Sequence, residues 1–263
     1  MADEVAALAN ERYRLVIVGA GSGGLAAADF AVRLGVSVAL IERGRVGGDC
    51  TWTGCVPSKA LLHVAELAHT LRDARSLGVS DTHTGVDFEA AMAFVRQAIE
   101  RVYRFETPEV LGRRGIMVIH GDARFVDAHT LDVAGRRIAG ERILVATGAA
   151  PEIPPLEGLS DVHYLTYQTV FDLTELPGRL IVLGGGPVGV ELAQAFQRLG
   201  SRVTLLDRHN RIAAMADPEA SAILQRALER DGVLLKLAAQ VDRVGRAAEG
   251  ALFVHFGSER LTA

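Results

Sequence analysis

Cysteine is almost absent from this chain: two in 263 residues, Cys50 and Cys55. That excludes a secreted disulfide framework, in which many cysteines staple a small core. Clustered positive charge is absent as well. The net charge is −4, from 28 basic and 32 acidic side chains, and no stretch gathers the cations into a patch. Nucleic acid and anionic membrane surfaces both require such clusters, so neither is an expected partner. The apolar runs are strand-sized, too short to cross a bilayer, and no stretch is patterned as a signal peptide. The expected compartment is therefore the cytoplasm, where a close cysteine pair points to redox chemistry or metal binding rather than a structural staple. What remains is an apolar chain, 49% hydrophobic and 23% charged, of a length suited to two domains.

A repeat organises it. Residues 15–43, "LVIVGAGSGGLAAADFAVRLGVSVALIER", align without a gap on residues 180–208, "LIVLGGGPVGVELAQAFQRLGSRVTLLDR", with 11 of 29 positions identical. Each copy is an apolar strand, a glycine turn, a helix, and a second apolar strand ending in an acid. That is a βαβ unit twice over, and it predicts an α/β fold with parallel sheets covered on both faces. The proline-dense segment 151–160, "PEIPPLEGLS", reads as a linker and divides a domain over 1–150 from one over 151–263. Short strand-like runs in 115–147 ("IMVI", "ARFV", "TLDV", "RRI" and "RILVAT"), punctuated by Gly121, Asp127, Gly135 and Gly140, predict a small antiparallel meander returning into the main sheet. Helices are expected over about 57–72, 87–112 and 217–231, with Asp87 and Asp217 as N-caps and Pro218 at the first helical position.

The glycine turns carry the first chemistry. Gly19, Gly21 and Gly24 form G-x-G-x-x-G: one glycine for the tight turn, one for the approach of a pyrophosphate, one for close helix–strand packing. Glu42 follows at the end of the second strand, where a carboxylate can accept ribose hydroxyls. Gly184, Gly186 and Gly189 repeat the pattern, and Asp207 repeats the acid. A single such motif is weak; two in one register, each with its acid, predict two dinucleotide sites. Asp207 favours NAD over NADP because it would repel a 2′-phosphate, while the neighbouring Arg208 leaves NADP open.

Cys50 and Cys55 fall in "GGDCTWTGCVPSK", residues 47–59, between the first βαβ unit and an expected helix. Small buried apolar residues would be the bland reading. Their position argues otherwise, since Gly47, Gly48 and Gly54 allow a compact turn that brings the sulfurs within disulfide range. A zinc site would need two further ligands, and the scattered histidines show no ligand spacing, so no metal is expected. A nearby ammonium, Lys59, and the start of the following helix would both lower a thiol pKa.

This stretch resembles the redox-active signature of the class I flavoprotein disulfide reductases, the pyridine nucleotide-disulfide oxidoreductases. The resemblance runs from about residue 13 to the chain's end. "GGGPVGVELAQAF" at 184–196 makes it strongest to mercuric reductase-like and dihydrolipoamide dehydrogenase-like members. It implies two Rossmann-like domains, the first for FAD and the second for NAD(P). It also implies roles. Cys50 would be the interchange thiol that meets a small-molecule or protein disulfide. Cys55 would be the thiolate against the flavin. Lys59 would sit beside the flavin, paired with Glu191. Gly48, Asp49, Ala123, Thr147 and Gly148 would line FAD with Glu42, and Val241 would line the NAD adenosine.

The chain departs from that pattern in places. Asp49 stands where relatives often carry threonine, and Pro187 where some carry a tyrosine that gates the nicotinamide. Family members also run to about 450 or more residues, so this chain is expected to be an N-terminal part, without the C-terminal dimerisation domain that makes the whole protein a homodimer. Two alternatives stay open: a non-catalytic nucleotide-binding fragment, and a flavin-dependent NADH oxidase-like enzyme. The substrate, whether a disulfide, mercuric ion or oxygen, is not legible.

Overall fold

The computed structural model describes residues 11–76, 78–79, 85–248 and 250–263, so the first ten residues of the expected first domain lie outside the described residues. The chain forms two compact units. One comprises residues 1–57 and 97–150; the other comprises 58–96 and 151–263. The segment 58–96, expected with the first domain, clusters with the second unit.

The first unit is built on a six-stranded sheet. Strands β1 (Glu11–Val18), β2 (Val38–Glu42), β3 (Ile116–His120) and β6 (Arg136–Val145) are parallel, while β4 (Ala123–Phe125) and β5 (Thr130–Val133) are antiparallel, in the order β3-β2-β1-β6-β5-β4. The chain leaves β1 toward β2 on one side and returns as β6 on the other. Its carboxyl end is therefore a topological switch point, where open α/β sheets bind ligands. β2 is apolar from Val38 to Ile41 because both its faces are covered. Val38 and Leu40 pack with Ile17, Ala28, Ala31 and Leu111, whereas Ala39 and Ile41 pack with Val16, Ile119, Leu131 and Ile138. Helix α1 (Ser22–Arg33) buries Gly24, Ala28 and Ala31, a small-residue stripe at helical spacing that lets its backbone lie close to the sheet.

Three expectations are corrected here. The run "IMVI" is no part of a meander: it is β3, parallel to β2. "RRI" and "RILVAT" are not separate strands either, because β6 runs unbroken through Gly140. That glycine faces Val16, whose Cγ2 a Cβ would meet at 2.9 Å, so it permits a close strand approach instead of marking a break. The long helix expected over 87–112 is two helices, α4 (Phe88–Tyr103) and α5 (Pro108–Arg113). Pro108 has no N–H to continue a helix and drives Thr107 into extended backbone (φ −64°, ψ 150°), where its hydroxyl accepts from Val110 N at 3.3 Å. The cap at Asp87 does form, accepting from Ala90 N at 3.0 Å.

In the second unit, β7 (Arg179–Leu183), β8 (Arg202–Leu206) and β9 (Leu234–Lys236) make a parallel sheet with helices α6 (Pro187–Leu199) and α7 (Pro218–Arg230). Asp217 caps α7, accepting from Glu219 N at 2.8 Å, and Pro218 follows at the first helical position. An antiparallel sheet of β10 (Val241–Arg246), β11 (Leu252–Phe256) and β12 (Glu259–Thr262) joins it through a shared core of Leu206, Val244, Val254 and Phe256. The segment 151–160 is more than a linker: Glu157 bridges to Arg243, and Gly158 lies so close to Val244 O that a Cβ would stand 2.1 Å from it. A helix over Cys55–Ser76 (α3) is fastened to α6 by Arg72, which donates to Arg198 O. The Asp231 carboxylate, 5% exposed, accepts from both Gln194 Nε2 and Arg198 Nε at 2.7 Å, partners that a buried charge requires.

Candidate cofactor and redox site

The first glycine turn joins β1 to α1 at the switch point. Gly19 has φ +104°, a region that disfavours any side chain, and a Cβ there would stand 2.3 Å from Ala146 O. A Cβ on Gly24 would stand 1.9 Å from Gly19 O. The two glycines therefore fix how tightly strand meets helix. Around Gly21 the nearest atom to a Cβ is Gly48 Cα at 3.8 Å, which leaves room for a ligand beside the α1 N-terminus. The Glu42 carboxylate closes the turn from β2, accepting from Ala20 N and Gly44 N at 2.7 Å each.

The second turn repeats the backbone conformation and the closing carboxylate of the first, although a Cβ on Gly184 would meet no atom within 4 Å. Gly184 has φ +105°, and a Cβ on Gly189 would stand 2.0 Å from Gly184 O. No atom lies within 4 Å of a Cβ built on Gly186. Asp207 accepts from Gly185 N, the residue after the first glycine, and from His209 N at 2.7 Å, two residues past the acid. These match Ala20 and Gly44 in the first unit. One feature has no counterpart there: the His209 ring sits 2.7 Å from Asp207 Oδ1.

Burial pushes the Asp207 carboxyl up, but the N–H groups of His209 and Gly185, with the His209 ring, outweigh it and hold the group below its ordinary value. A depressed carboxyl contributes stability that is fully present above its unfolded value, about 3.9, and is lost as pH falls through the folded value. Asp207→Asn will remove that part of the acid dependence. Urea midpoints measured between pH 5 and pH 2.5 will fall less steeply in the variant, and equal slopes would contradict the assignment.

The cysteine loop packs on the first turn. Gly47 N donates to Ala20 O at 2.8 Å, and Gly48, at φ +59°, lies so close to Gly21 that a Cβ would stand 2.6 Å from its Cα. Cys50 and the exposed Asp49 lie in the short helix α2 (Gly48–Trp52), and Cys55 opens α3. Cys50 is half-buried and Cys55 exposed, both as thiols. The turn between them is tight: a Cβ on Gly54 would stand 2.9 Å from Asp49 O.

Lys59, one of only two lysines in the chain, lies on α3, and its Nζ donates to both carboxylate oxygens of Glu191 on α6 at 2.7 Å. The side chains are 60% and 36% exposed, so the pair adds only ~0.5 kcal/mol to stability. Lys59→Met will leave the melting temperature nearly unchanged. A large drop would make the pair a structural clamp instead of a functional one.

The remaining expected residues fall around these centres. Thr147 and Gly148 follow β6, with Thr147 Cα 3.1 Å from a Cβ on Gly19. Ala123 opens β4 two residues after Gly121, whose N–H donates to Glu42 O at 2.9 Å. Val241 opens β10 just past Ala239, which donates to Asp207 O at 2.9 Å, and it packs against the Phe256 cluster. Sequence reading missed His209, Thr51, Trp52 and Glu106. The run "DRH" after β8 could have pointed to the first; the others depend on contacts distant in sequence. Among the described residues no group of three or more His, Cys, Asp or Glu is placed to hold a metal ion, and no helix is long and apolar enough to cross a membrane.

A family model described as pyridine nucleotide-disulphide oxidoreductase matches residues 13–261. Curated relatives include a mercuric reductase of Lysinibacillus sphaericus, 36% identical over 94% of this chain and 45% of its own length. A mercuric reductase of Streptomyces lividans is 39% identical over 93% of this chain and 52% of its own length. Among solved structures, the HOCl-induced flavoprotein disulfide reductase RclA from Escherichia coli superposes with a TM-score of 0.80 at 30% identity, over 95% of this chain and 54% of that one. Its Cu(II) complex gives 0.79 at 30% identity, over 96% and 55%. The chain spans about half the length of the relatives it matches. With two Rossmann-type glycine turns of one construction and the match over nearly its whole length, the chain belongs to the pyridine nucleotide-disulphide oxidoreductase family.

Proposed function

We propose that this chain supplies the FAD site, the NAD(P)H site and the redox-active cysteine pair of a flavoprotein disulfide reductase. The observation that carries the reading is the packing of the Cys50 loop directly on the first glycine turn, through Gly47–Ala20 and Gly48–Gly21. Gly19, Gly21, Gly24, Gly48, Asp49 and Glu42 would hold FAD, with Ala123, Thr147 and Gly148 at its margins. Gly184, Gly186, Gly189 and Asp207 would hold the nicotinamide dinucleotide, with Val241 beside its adenosine. The absence of room for any Cβ at Gly19 and Gly24, and the open face at Gly21, fit such a group. FAD, when bound, supplies the two-electron link between a nicotinamide hydride and the cysteine pair.

The chain's own residues do the rest. The Cys50 thiolate attacks one sulfur of the substrate disulfide, forming a mixed disulfide and releasing the first thiol. The Cys55 thiolate then attacks Cys50 sulfur, restoring the intramolecular disulfide and releasing the second thiol, so two electrons pass to the substrate. Lys59, oriented by Glu191, supplies positive charge that favours thiolate over thiol. Asp207 favours NADH over NADPH, since its carboxylate would repel a 2′-phosphate. The whole protein acts as a homodimer in the cytoplasm. A second reading takes mercuric ion as substrate. It is favoured by the names of the relatives, and two close thiolates are soft ligands suited to it.

The test is a visible spectrum of the purified protein, before and after anaerobic NADH. A bound flavin that gains long-wavelength absorbance on two-electron reduction, lost in Cys55→Ser, is the expected result. A protein that FAD cannot reconstitute would overturn the reading for this chain.

A further inference from the structure

The two side chains that follow Cys50, those of Thr51 and Trp52, are each committed to partners within the same unit. Thr51 is 3% exposed and donates its hydroxyl to Glu106 Oε2 at 2.8 Å. The same carboxylate oxygen stands 2.8 Å from a Cβ built on Gly47, so Glu106 fills the corner where the loop enters α2. Trp52 donates Nε1–H to Val46 O at 2.8 Å. Its indole packs against Tyr103 at a tilt of 55° with ring centroids 4.8 Å apart, and the Arg45 guanidinium covers it at 4.6 Å. Thr53 N donates to Asp49 O at 2.9 Å, closing the turn. Of the two long-range anchors, Tyr103 is the last residue of α4 and Glu106 lies in the break before α5, 55 residues along the chain from Thr51.

On the reading that Cys50 and Cys55 form a redox pair, we propose that Thr51 and Trp52 are positioning residues. They hold Cys50 in one place through both oxidation states, and so set the reduction potential of the pair. The argument is one of effective concentration. A disulfide forms from two thiols at the cost of bringing the sulfurs together, and a thiol already fixed in register makes that cost smaller. Thr51 and Trp52 lie one and two residues from Cys50 on a helix of five residues, which is too short to hold its own shape. The tertiary anchors must therefore supply the rigidity. Loosening them disfavours the disulfide relative to the dithiol and moves the potential in the oxidising direction.

The experiment equilibrates the purified chain in mixtures of reduced and oxidised dithiothreitol. Reduction breaks the Cys50–Cys55 bond, and the reagent closes to its cyclic disulfide, giving two electrons and two protons to the protein. The disulfide fraction is read by the mass added on thiol alkylation. Trp52 is the only tryptophan, so its emission gives a second readout in the unsubstituted protein. Thr51→Val, which removes the hydrogen bond at nearly constant volume, and Trp52→Ala are expected to lower the equilibrium constant for the disulfide about tenfold, a shift of about 30 mV. Thr51→Ser, which keeps the hydroxyl, should return it to within twofold. If both loosened variants stay within twofold while their melting temperatures fall, the clamp is structural only and the proposal is wrong. Should Trp52→Ala not fold, Thr51→Val decides alone. An unsubstituted chain that forms no intramolecular disulfide in oxidised reagent overturns the redox reading, and this proposal with it.

Discussion

Gly24→Ala will destabilise the first unit by about 3 kcal/mol, while Gly23→Ala, one residue away, will stabilise it by ~0.5 kcal/mol. The two glycines share the first turn of α1 and differ only in what surrounds them. A Cβ on Gly24 would lie 1.9 Å from Gly19 O and 3.3 Å from Ile17 Cγ2, so helix or strand must move, and Ile17 is fully buried. A Cβ on Gly23 meets nothing within 4 Å, leaving only alanine's better helix propensity. Thermal unfolding will show a drop of roughly 15 °C for the first variant and a small rise for the second. Gly189→Ala, with a Cβ 2.0 Å from Gly184 O, should reproduce the loss in the second unit. Equal behaviour of the Gly23 and Gly24 variants would mean that the helix–strand packing is not as tight as described.

If the proposed disulfide reductase reading holds, Cys55→Ser will reduce NADH-driven disulfide reduction by at least about a thousandfold. A hydroxyl at that position is neither ionised near neutral pH nor able to join a disulfide, so the second exchange step has no nucleophile. Because Cys55 is exposed, the substitution should change stability by less than about 0.5 kcal/mol. Electron transfer from NADH to an artificial one-electron acceptor should persist, since that route does not need the cysteine pair. Turnover of the disulfide within tenfold of the unsubstituted protein would show that electrons reach substrate by another path.

The parts of the fold that were legible in the sequence are those in which backbone geometry dictates residue identity. Gly19 and Gly184 adopt φ near +105° in both units, so the repeat of "GxGxxG" was also a repeat of conformation. β2 was legible because full burial on two faces leaves an uninterrupted apolar run. Gly140 misled for the opposite reason. A glycine inside a strand reads as a break, and only the neighbour Val16, far away in sequence, shows that the position needs a missing side chain. The helix break at 104–107 was signalled by Thr107-Pro108, but the helical pattern on either side of it masked the signal. The positions of the candidate site residues were motif-borne. What holds them was not: the hydroxyl of Thr51 and the ring of Trp52 find their partners only when α4 ends where it does.

The carboxylate that closes each glycine turn has a bearing on coenzyme redesign. On the proposed reading Asp207 is the position to replace in order to admit a phosphorylated ribose, yet its oxygens also fasten the end of β8 to Gly185 and His209. If that turn holds a nicotinamide dinucleotide as proposed, a substitution aimed at preference would slacken a cradle common to both coenzymes, and lose affinity for one before gaining it for the other. Arg208 is exposed and lies beside it, so engineering that leaves the aspartate in place and works outward from that neighbour will keep the turn intact.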